Sequence, residues 1–144
     1  IVKEAVSIDV KEKEEQPIAN NLGLPTLQAY QYDFNILSCE ATHDEKVIIK
    51  IRITNLSEDD REIGIKNTTR FFDDQGREFK VTSREMGNKK ETYWELKTQM
   101  ISGIPTLLTL VFDNVPRSAN SISLLELTET EWTLKFRTFP ISRM

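Results

Sequence analysis

The chain has 144 residues, a length that suits one domain with a core of its own. Its 19 basic and 23 acidic residues give a net charge of −4, which provides no long-range attraction to nucleic acid or to an anionic membrane surface. No apolar run approaches the roughly 18 to 20 residues of a membrane-spanning helix. A single cysteine, Cys39, excludes an internal disulfide and a zinc site built on several thiolates. Because the chain begins at Ile1, we expect that an upstream segment was removed. That segment could have been a signal peptide or a lipid anchor.

The N-terminal residues are predicted to form an arm. Branched and polar residues alternate over residues 6–10, which is typical of a strand that can add to a sheet edge. Residues 12–26 are polar, contain two prolines and a glycine, and have no periodicity, so they indicate a linker. We therefore predict an arm over residues 1–26 and one domain over residues 27–144. The arm could dock on its own sheet or on a second molecule, which would cause self-association.

The next segments alternate with a period of two. In "KVIIKIRITN" the apolar residues Val47, Ile49, Ile51 and Ile53 share one parity, the pattern of a strand with one buried face. The segment "EWTLKFRTF" repeats this pattern near the C-terminus. The apolar parity predicts one core formed by Ile49, Ile51, Ile53, Phe112, Leu124, Leu134 and Phe136.

Further short strands are predicted between turn-forming residues. They cover residues 30–37, 61–65, 69–72, 78–81, 92–101, 106–114 and 120–127. The segment "SREMGNKKE" is predicted to form a helical turn. Short strands separated by frequent turns favour an all-β fold, an antiparallel sandwich or barrel.

The order of the motifs resembles a known group of domains. The motifs are "FNILSCE", "VIIKIRITNLSEDDREIGI", "FFDDQGREFKV", "GIPTLLTLVFDNVP", "SISLLEL" and "LKFRTFPI". Over residues 28–141 the chain resembles the immunoglobulin-like domains of bacterial secreted proteins and envelope lipoproteins, which are related in fold to a mycobacterial secreted antigen. The resemblance implies an antiparallel immunoglobulin-like β-sandwich of about seven to nine strands, located outside the cytoplasm as a secreted, periplasmic or lipid-anchored protein. It implies no catalytic residues.

Acidic residues in two loops allow two interpretations. Asp73, Asp74 and Gly76 stand between two aromatic runs, where a tight turn needs a glycine with positive φ and an Asp that caps the turn. We therefore predict a turn there, and we expect Asn at both Asp positions to leave folding nearly intact. The alternative is capture of a small ligand or a divalent metal by the acidic loops around Asp59 and Asp73, grouped at one end of the sandwich.

Cys39 and His43 are the residues on which nucleophilic catalysis would depend. They are four residues apart, a spacing that separates side chains by about 13 Å in a strand. A buried thiol and an exposed loop imidazole are therefore predicted, and no enzymatic activity is expected.

Tyr93 and Trp94 are the candidate partner surface. As neighbours in a predicted strand, one ring would face the core and the other would face out, where it could stack on a sugar or on a side chain of a partner. Since the sequence groups no acid, base and nucleophile, the first hypothesis is a non-enzymatic interaction module without a cofactor. Its partner would be a protein or an envelope component, not nucleic acid.

Overall fold

The structure is a computed structural model that describes residues 23–143; the predicted strand over residues 6–10 lies outside this range. Leu24 is buried and the first strand starts at Thr26, so the folded part reaches at least to Leu24. The described residues form thirteen strands and no helix. The strands are β1 Thr26–Ala29, β2 Tyr32–Ala41, β3 Val47–Asn55, β4 Arg61–Ile65, β5 Arg70–Asp73, β6 Glu78–Lys80, β7 Ser83–Met86, β8 Lys89–Glu91, β9 Leu96–Met100, β10 Pro105–Phe112, β11 Ser121–Thr128, β12 Thr133–Pro140 and β13 Ser142–Arg143.

The described strands form three sheets. The largest has the order β1-β2-β3-β10-β7-β8, and β13 joins it by parallel pairing with β2. The second sheet has the order β12-β11-β5-β6, and β4 and β9 form a separate two-stranded ribbon. Every other pairing between named strands is antiparallel, so the all-β, antiparallel part of the prediction is confirmed. There are more strands than predicted because some, such as β8 and β13 with three and two residues, are too short to show an alternation.

Residues 83–91 form a hairpin, so the predicted helical turn is wrong. β7 pairs with β8, and Met86 stands opposite Lys89 across a two-residue connection. Gly87 in this connection has a φ of 63°, a conformation that glycine adopts without a steric penalty.

The two larger sheets face each other across a shared aromatic core. Phe34 of β2 contacts Phe136 of β12 with ring centroids 6.3 Å apart, and Phe71 of β5 contacts Phe112 of β10 at 4.7 Å. Both pairs meet edge to face, the arrangement that aromatic quadrupoles favour. The predicted core residues are buried with one exception: Ile49, Ile51, Ile53, Phe112, Leu134 and Phe136.

The exception is Leu124, which is only half-buried, so its assignment to the core is wrong. Ile122 and Leu125 are the buried residues on either side of it. The pairing of β11 with β5 shifts register between Ile122 and Leu124. An extra residue in one strand reverses the parity of the side chains beyond it, and simple alternation does not reveal where this happens.

The ribbon of β4 and β9 is tied to both sheets. Ile65 forms an isolated bridge with Glu129, just beyond β11. The buried Arg84 of β7 donates from Nη1 to the carbonyl of Ile65 at 2.6 Å, while its Nε and Nη2 have no partner among the described residues. Burial lowers the pKa of Arg84. Arg84 therefore connects the ribbon to the large sheet at a cost in desolvation.

The connections between strands gather at two ends of the large sheet. The apolar end consists of residues 30–31, 56–60 and 101–104, and the turn end consists of residues 74–77 and 113–120. Residues 101–104 precede β10, and residues 113–120 follow it. Because β10 has eight residues, the two ends are separated by about 27 Å.

Candidate interaction surface

Asp73 closes the turn between β5 and β6 with its own carboxylate, as predicted. Its Oδ1 accepts hydrogen bonds from the backbone N–H groups of Gln75 at 2.9 Å and Arg77 at 2.8 Å. Its Oδ2 accepts from Nε of Arg77 at 2.8 Å and lies 2.7 Å from Nη2. Gly76 has a φ of 77°, so the predicted positive φ is confirmed. Although burial raises the pKa of Asp73, hydrogen bonds from Arg77 and Gln75 and the charge of Arg77 hold it below its usual value.

Asp74 is also used inside the protein. Its Oδ1 accepts from the backbone N–H groups of Asn120 at 2.9 Å and Ser121 at 3.3 Å, and these bonds lower its pKa. The Asp74 carboxylate therefore connects the β5–β6 turn to the start of β11 through hydrogen bonds.

Asp59 and Asp73 lie at opposite ends of the large sheet, so their loops do not form the shared end on which the alternative of metal capture depends. Side chains of the β5–β6 turn reach Ser118, beyond β10. The loop of Asp59 contacts Ser102, before β10. In residues 23–143, no group of three or more His, Cys, Asp or Glu is placed to hold a metal ion.

The loop after β3 is organised by Asn55, which is completely buried. Its Nδ2 donates to the carbonyl of Asp59 at 2.8 Å and to that of Met100 at 3.0 Å. Its Oδ1 accepts from the backbone N–H of Ser57 at 2.9 Å and from the Ser57 hydroxyl at 2.7 Å. The side chain of Asn55 is therefore fully satisfied, and it joins the loop to the end of β9.

The neighbouring loop, between β9 and β10, is attached to the same residue. Gly103 donates its N–H to the carbonyl of Asn55 at 2.8 Å. The backbone N–H of Ser102 donates to Oδ1 of Asp60 at 2.9 Å, and the Ser102 hydroxyl donates to the carbonyl of Ser57. Two loops that are 45 residues apart in sequence thus form one rigid surface.

This surface carries exposed aliphatic side chains. Leu56, Ile101 and Ile104 are 50%, 45% and 54% exposed. They flank the residues that join the two loops, Asn55 and Ser102. An isolated exposed aliphatic residue is ordinary, whereas several on adjoining loops form a patch of the kind found in binding sites. This patch was not predicted, although the aliphatic residues inside the turn segments "NLSEDD" and "ISGIP" were a signal for it.

The β1–β2 turn, residues 30–31, is the third segment of the apolar end. Tyr30 and Gln31 have φ values of 56° and 67°, which side chains other than glycine adopt at a cost of about 1 to 2 kcal/mol per residue. The turn is held by the N–H of Leu56, which donates to the carbonyl of Gln31 at 2.8 Å. The ring of Tyr30 is stacked on Trp132 with centroids 4.8 Å apart and an angle of 4°. A two-residue hairpin connection takes positive φ at both central residues, so this conformation belongs to the β1–β2 turn itself.

A cleft of about 110 Å³ lies near this turn, between the ribbon and the β11–β12 connection. Arg61 lies over the ring of Tyr32, with Cζ 4.9 Å from the centroid. Glu129 is buried and accepts from the backbone N–H groups of Gly64 at 3.0 Å and Glu131 at 2.8 Å. Burial raises the pKa of Glu129. Since the Glu129 carboxylate is occupied by backbone donors, its contacts indicate a structural role.

Tyr93 and Trp94 lie in the connection between β8 and β9, so the prediction that one ring faces inward is wrong. They are 67% and 69% exposed, and their rings contact each other edge to face at 4.8 Å. The hairpin ends at Glu91 and β9 begins only at Leu96, so strand alternation does not apply to the residues between. Nδ2 of Asn67 fixes the connection by donating to the carbonyl of Tyr93 at 2.8 Å.

The thiol of Cys39 is buried and His43 is exposed, as predicted. Burial raises the pKa of Cys39 to about 12, with a smaller contribution from Glu40. A buried thiol with so high a pKa is not nucleophilic at neutral pH.

Searches against protein-family models, curated proteins and solved structures found no match to this chain. No helix among residues 23–143 is long and apolar enough to cross a membrane.

Proposed function

We propose that this protein is a non-enzymatic interaction module that binds a protein partner through the apolar end. The proposal is carried by one observation: exposed aliphatic side chains lie on two adjoining loops that the buried Asn55 joins. A preorganised surface loses less conformational entropy on binding than a mobile one. Apolar side chains at the centre of such a surface supply the binding energy.

The order of the strands supports an immunoglobulin-like β-sandwich as the frame. The path β2-β3-β10-β7 in one sheet and β12-β11-β5 in the other follows the constant-type order of four strands against three. The β4–β9 ribbon, β1 and β13 are additions to that plan. In such sandwiches the connections at one end commonly form the binding site, and the loop after β3 belongs to one of these connections.

The proposed location is outside the cytoplasm, as a secreted, periplasmic or lipid-anchored protein. This part of the proposal is supported by the resemblance of residues 28–141 to bacterial secreted and envelope domains.

Quantitative affinity capture would test the proposed surface. The tagged chain and its variants would be incubated with an envelope extract of the source organism, and retained proteins would be quantified by mass spectrometry. The Leu56→Ser, Ile104→Ser double variant removes two exposed apolar side chains from the apolar end. The matched control is Leu37→Ser in β2, where the side chain is 37% exposed. We expect a partner that the wild type and the control retain and the double variant loses.

A second double variant, Tyr93→Ser with Trp94→Ser, tests the other exposed apolar site. If this variant alone loses the partner, the binding surface lies on the β8–β9 connection and the assignment to the apolar end is wrong. If no protein is retained above an untagged control, the proposed function is contradicted.

A further inference from the structure

We propose that the partner of the apolar end is a basic protein segment in which Lys or Arg side chains accompany apolar ones. The inference rests on the proposed function and adds the chemistry of the partner. It comes from the charges that stand beside the exposed aliphatic residues.

Three consecutive acidic residues follow Leu56: Glu58, Asp59 and Asp60, and all three are exposed. The carboxylate of Asp60 accepts from Ser102 N–H. The carboxylates of Glu58 and Asp59 form no hydrogen bond or ion pair with any described residue. No residue in the described part of the chain therefore neutralises their charge by direct contact.

The cation that is next to this loop in the sequence makes its contacts elsewhere. Arg61 follows Asp60 directly, but its Nη1 donates to the carbonyl of Tyr30 at 3.0 Å and to Oε1 of Gln31 at 3.4 Å. Its guanidinium also lies over the ring of Tyr32. Arg61 is thus directed towards the β1–β2 turn rather than towards the carboxylates.

Acidic residues elsewhere in the described part are often matched by cations of the same chain. Glu126 lies 2.7 Å from Arg70, and Asp113 lies 2.7 Å from Lys46. Glu58 and Asp59 form no such pair with a described residue, and they lie on the same loop as the exposed Leu56.

A basic partner fits both features of the surface. Apolar side chains would cover Leu56, Ile101 and Ile104, while Lys or Arg at the rim would meet the free carboxylates. Opposite charges at an interface rim raise the association rate and select against wrong partners. The same acidic rim repels anionic lipid, so a protein segment fits better than an anionic membrane surface.

Fluorescence anisotropy with two synthetic peptides tests the charge. One labelled peptide alternates Leu and Lys, and the other alternates Leu and Glu. The full chain would be compared with Glu58→Gln, Asp59→Asn, and with a control, Glu40→Gln, Glu85→Gln, that makes the same change in net charge on exposed strand positions. Asp60 stays unchanged because it anchors the loop.

At about 50 mM salt, where surface charges are weakly screened, we expect the Leu/Lys peptide to bind at least about tenfold more tightly than the Leu/Glu peptide. Neutralising residues 58 and 59 should weaken Leu/Lys binding by about fivefold, and the control should change it by less than about twofold. Raising the salt should weaken the wild type more than the neutralised variant.

Equal binding of both peptides, or equal losses in the variant and the control, would overturn the inference of a basic partner. The Leu56→Ser, Ile104→Ser variant separates this failure from failure of the proposed function. If it loses peptide binding while the charge variants do not, the apolar surface stands and only its charge preference is wrong. If the Leu56→Ser, Ile104→Ser variant binds both peptides as tightly as the wild type does, the assignment of the binding surface to the apolar end is wrong. Binding of phosphatidylcholine vesicles with no binding of either peptide would overturn the inference in favour of a lipid partner.

Discussion

The two ends of the large sheet use the same kind of residue differently. At the turn end, the carboxylates of Asp73 and Asp74 accept hydrogen bonds from backbone N–H groups and from Arg77. At the apolar end, the buried amide of Asn55 takes over this task, and the carboxylates of Glu58 and Asp59 contact no partner among residues 23–143. An acidic loop is therefore available to a partner only where another group performs the work of closing the turn.

The largest expected effect concerns the core that both ends share. Ile51 is completely buried in β3, so Ile51→Ala should lower the free energy of unfolding by about 2 to 5 kcal/mol through lost burial and a cavity. Urea denaturation would measure the change, with Lys50→Ala on the exposed face of the same strand as a control. A loss below about 0.5 kcal/mol would contradict the assignment of Ile51 to the core.

The next effect should distinguish the two ends. Asn55→Ala removes the amide that closes the apolar end and leaves buried backbone groups without partners, at a cost of about 3 kcal/mol. Asn67→Ala is the matched control, because Asn67 is exposed and its amide donates to the carbonyl of Tyr93. Hydrogen exchange should rise around residues 56–60 in the first variant and stay unchanged in the turn over residues 74–77. Equal exchange at both ends would show that Asn55 does not organise its loop.

At the turn end, Asp73→Asn should cost about 2 kcal/mol at pH 7, since the amide keeps one acceptor but loses the charged contact with Arg77. This is more than the sequence suggested, because Asp73 proved to be buried. Its pKa is lowered in the folded state, so its contribution is present above the unfolded value of about 3.9 and is lost as the pH falls through the folded value. The two proteins should therefore converge in stability below about pH 4. A constant difference from pH 7 to pH 2 would contradict the ion pair.

The same substitution at two glycines, one in each end, compares the backbone strain of the two ends. Gly76 and Gly103 have φ values of 77° and 76°, and a Cβ on either would meet no atom within 4 Å. Alanine at each should cost about 1 kcal/mol from backbone strain alone, measured by thermal unfolding. Only Gly103→Ala should also alter partner binding. If the two variants differ by more than about 1 kcal/mol, one loop carries strain that the φ angles do not reveal.

The smallest expected effect on stability belongs to the proposed surface itself. Leu56→Ser with Ile104→Ser should change the free energy of unfolding by less than about 0.5 kcal/mol, because both side chains are already half-exposed. Denaturation in urea would measure this. A loss of about 2 kcal/mol or more would mean that these residues support the fold, and their exposure would no longer argue for binding.

Much of the frame could be predicted because one physical rule governs it. The alternation around Ile51 follows directly from burial of one face of β3, and the turn at Gly76 follows from local backbone chemistry. Leu124 did not follow this rule because a register shift depends on pairing with β5, whose Phe72 is 52 residues before Leu124 in the sequence. Tyr93 and Trp94 do not follow strand alternation, because the preceding hairpin ends at Glu91 and they lie in the connection after it.

The apolar end could not be predicted from local patterns. Leu56 belongs to the loop after β3, whereas Ile101 and Ile104 belong to the loop before β10. They become neighbours only because Asn55 contacts both loops, and a buried asparagine in the sequence "ITN" resembles any strand-ending residue. Exposure of aliphatic side chains is a property of the assembled surface.

The burial of Cys39 supplies a chemical reporter of how this domain opens. Cys39 is the chain's one cysteine, and burial raises its pKa to about 12, so a maleimide reacts with it only after β2 separates from its neighbours. When reclosing is faster than modification, the observed rate is the opening equilibrium constant multiplied by the rate for a free thiol. Cys39 pairs with Ile49 in β3, between the two ends. The native protein thus permits its opening free energy to be followed under physiological conditions, without denaturant and without an introduced label site.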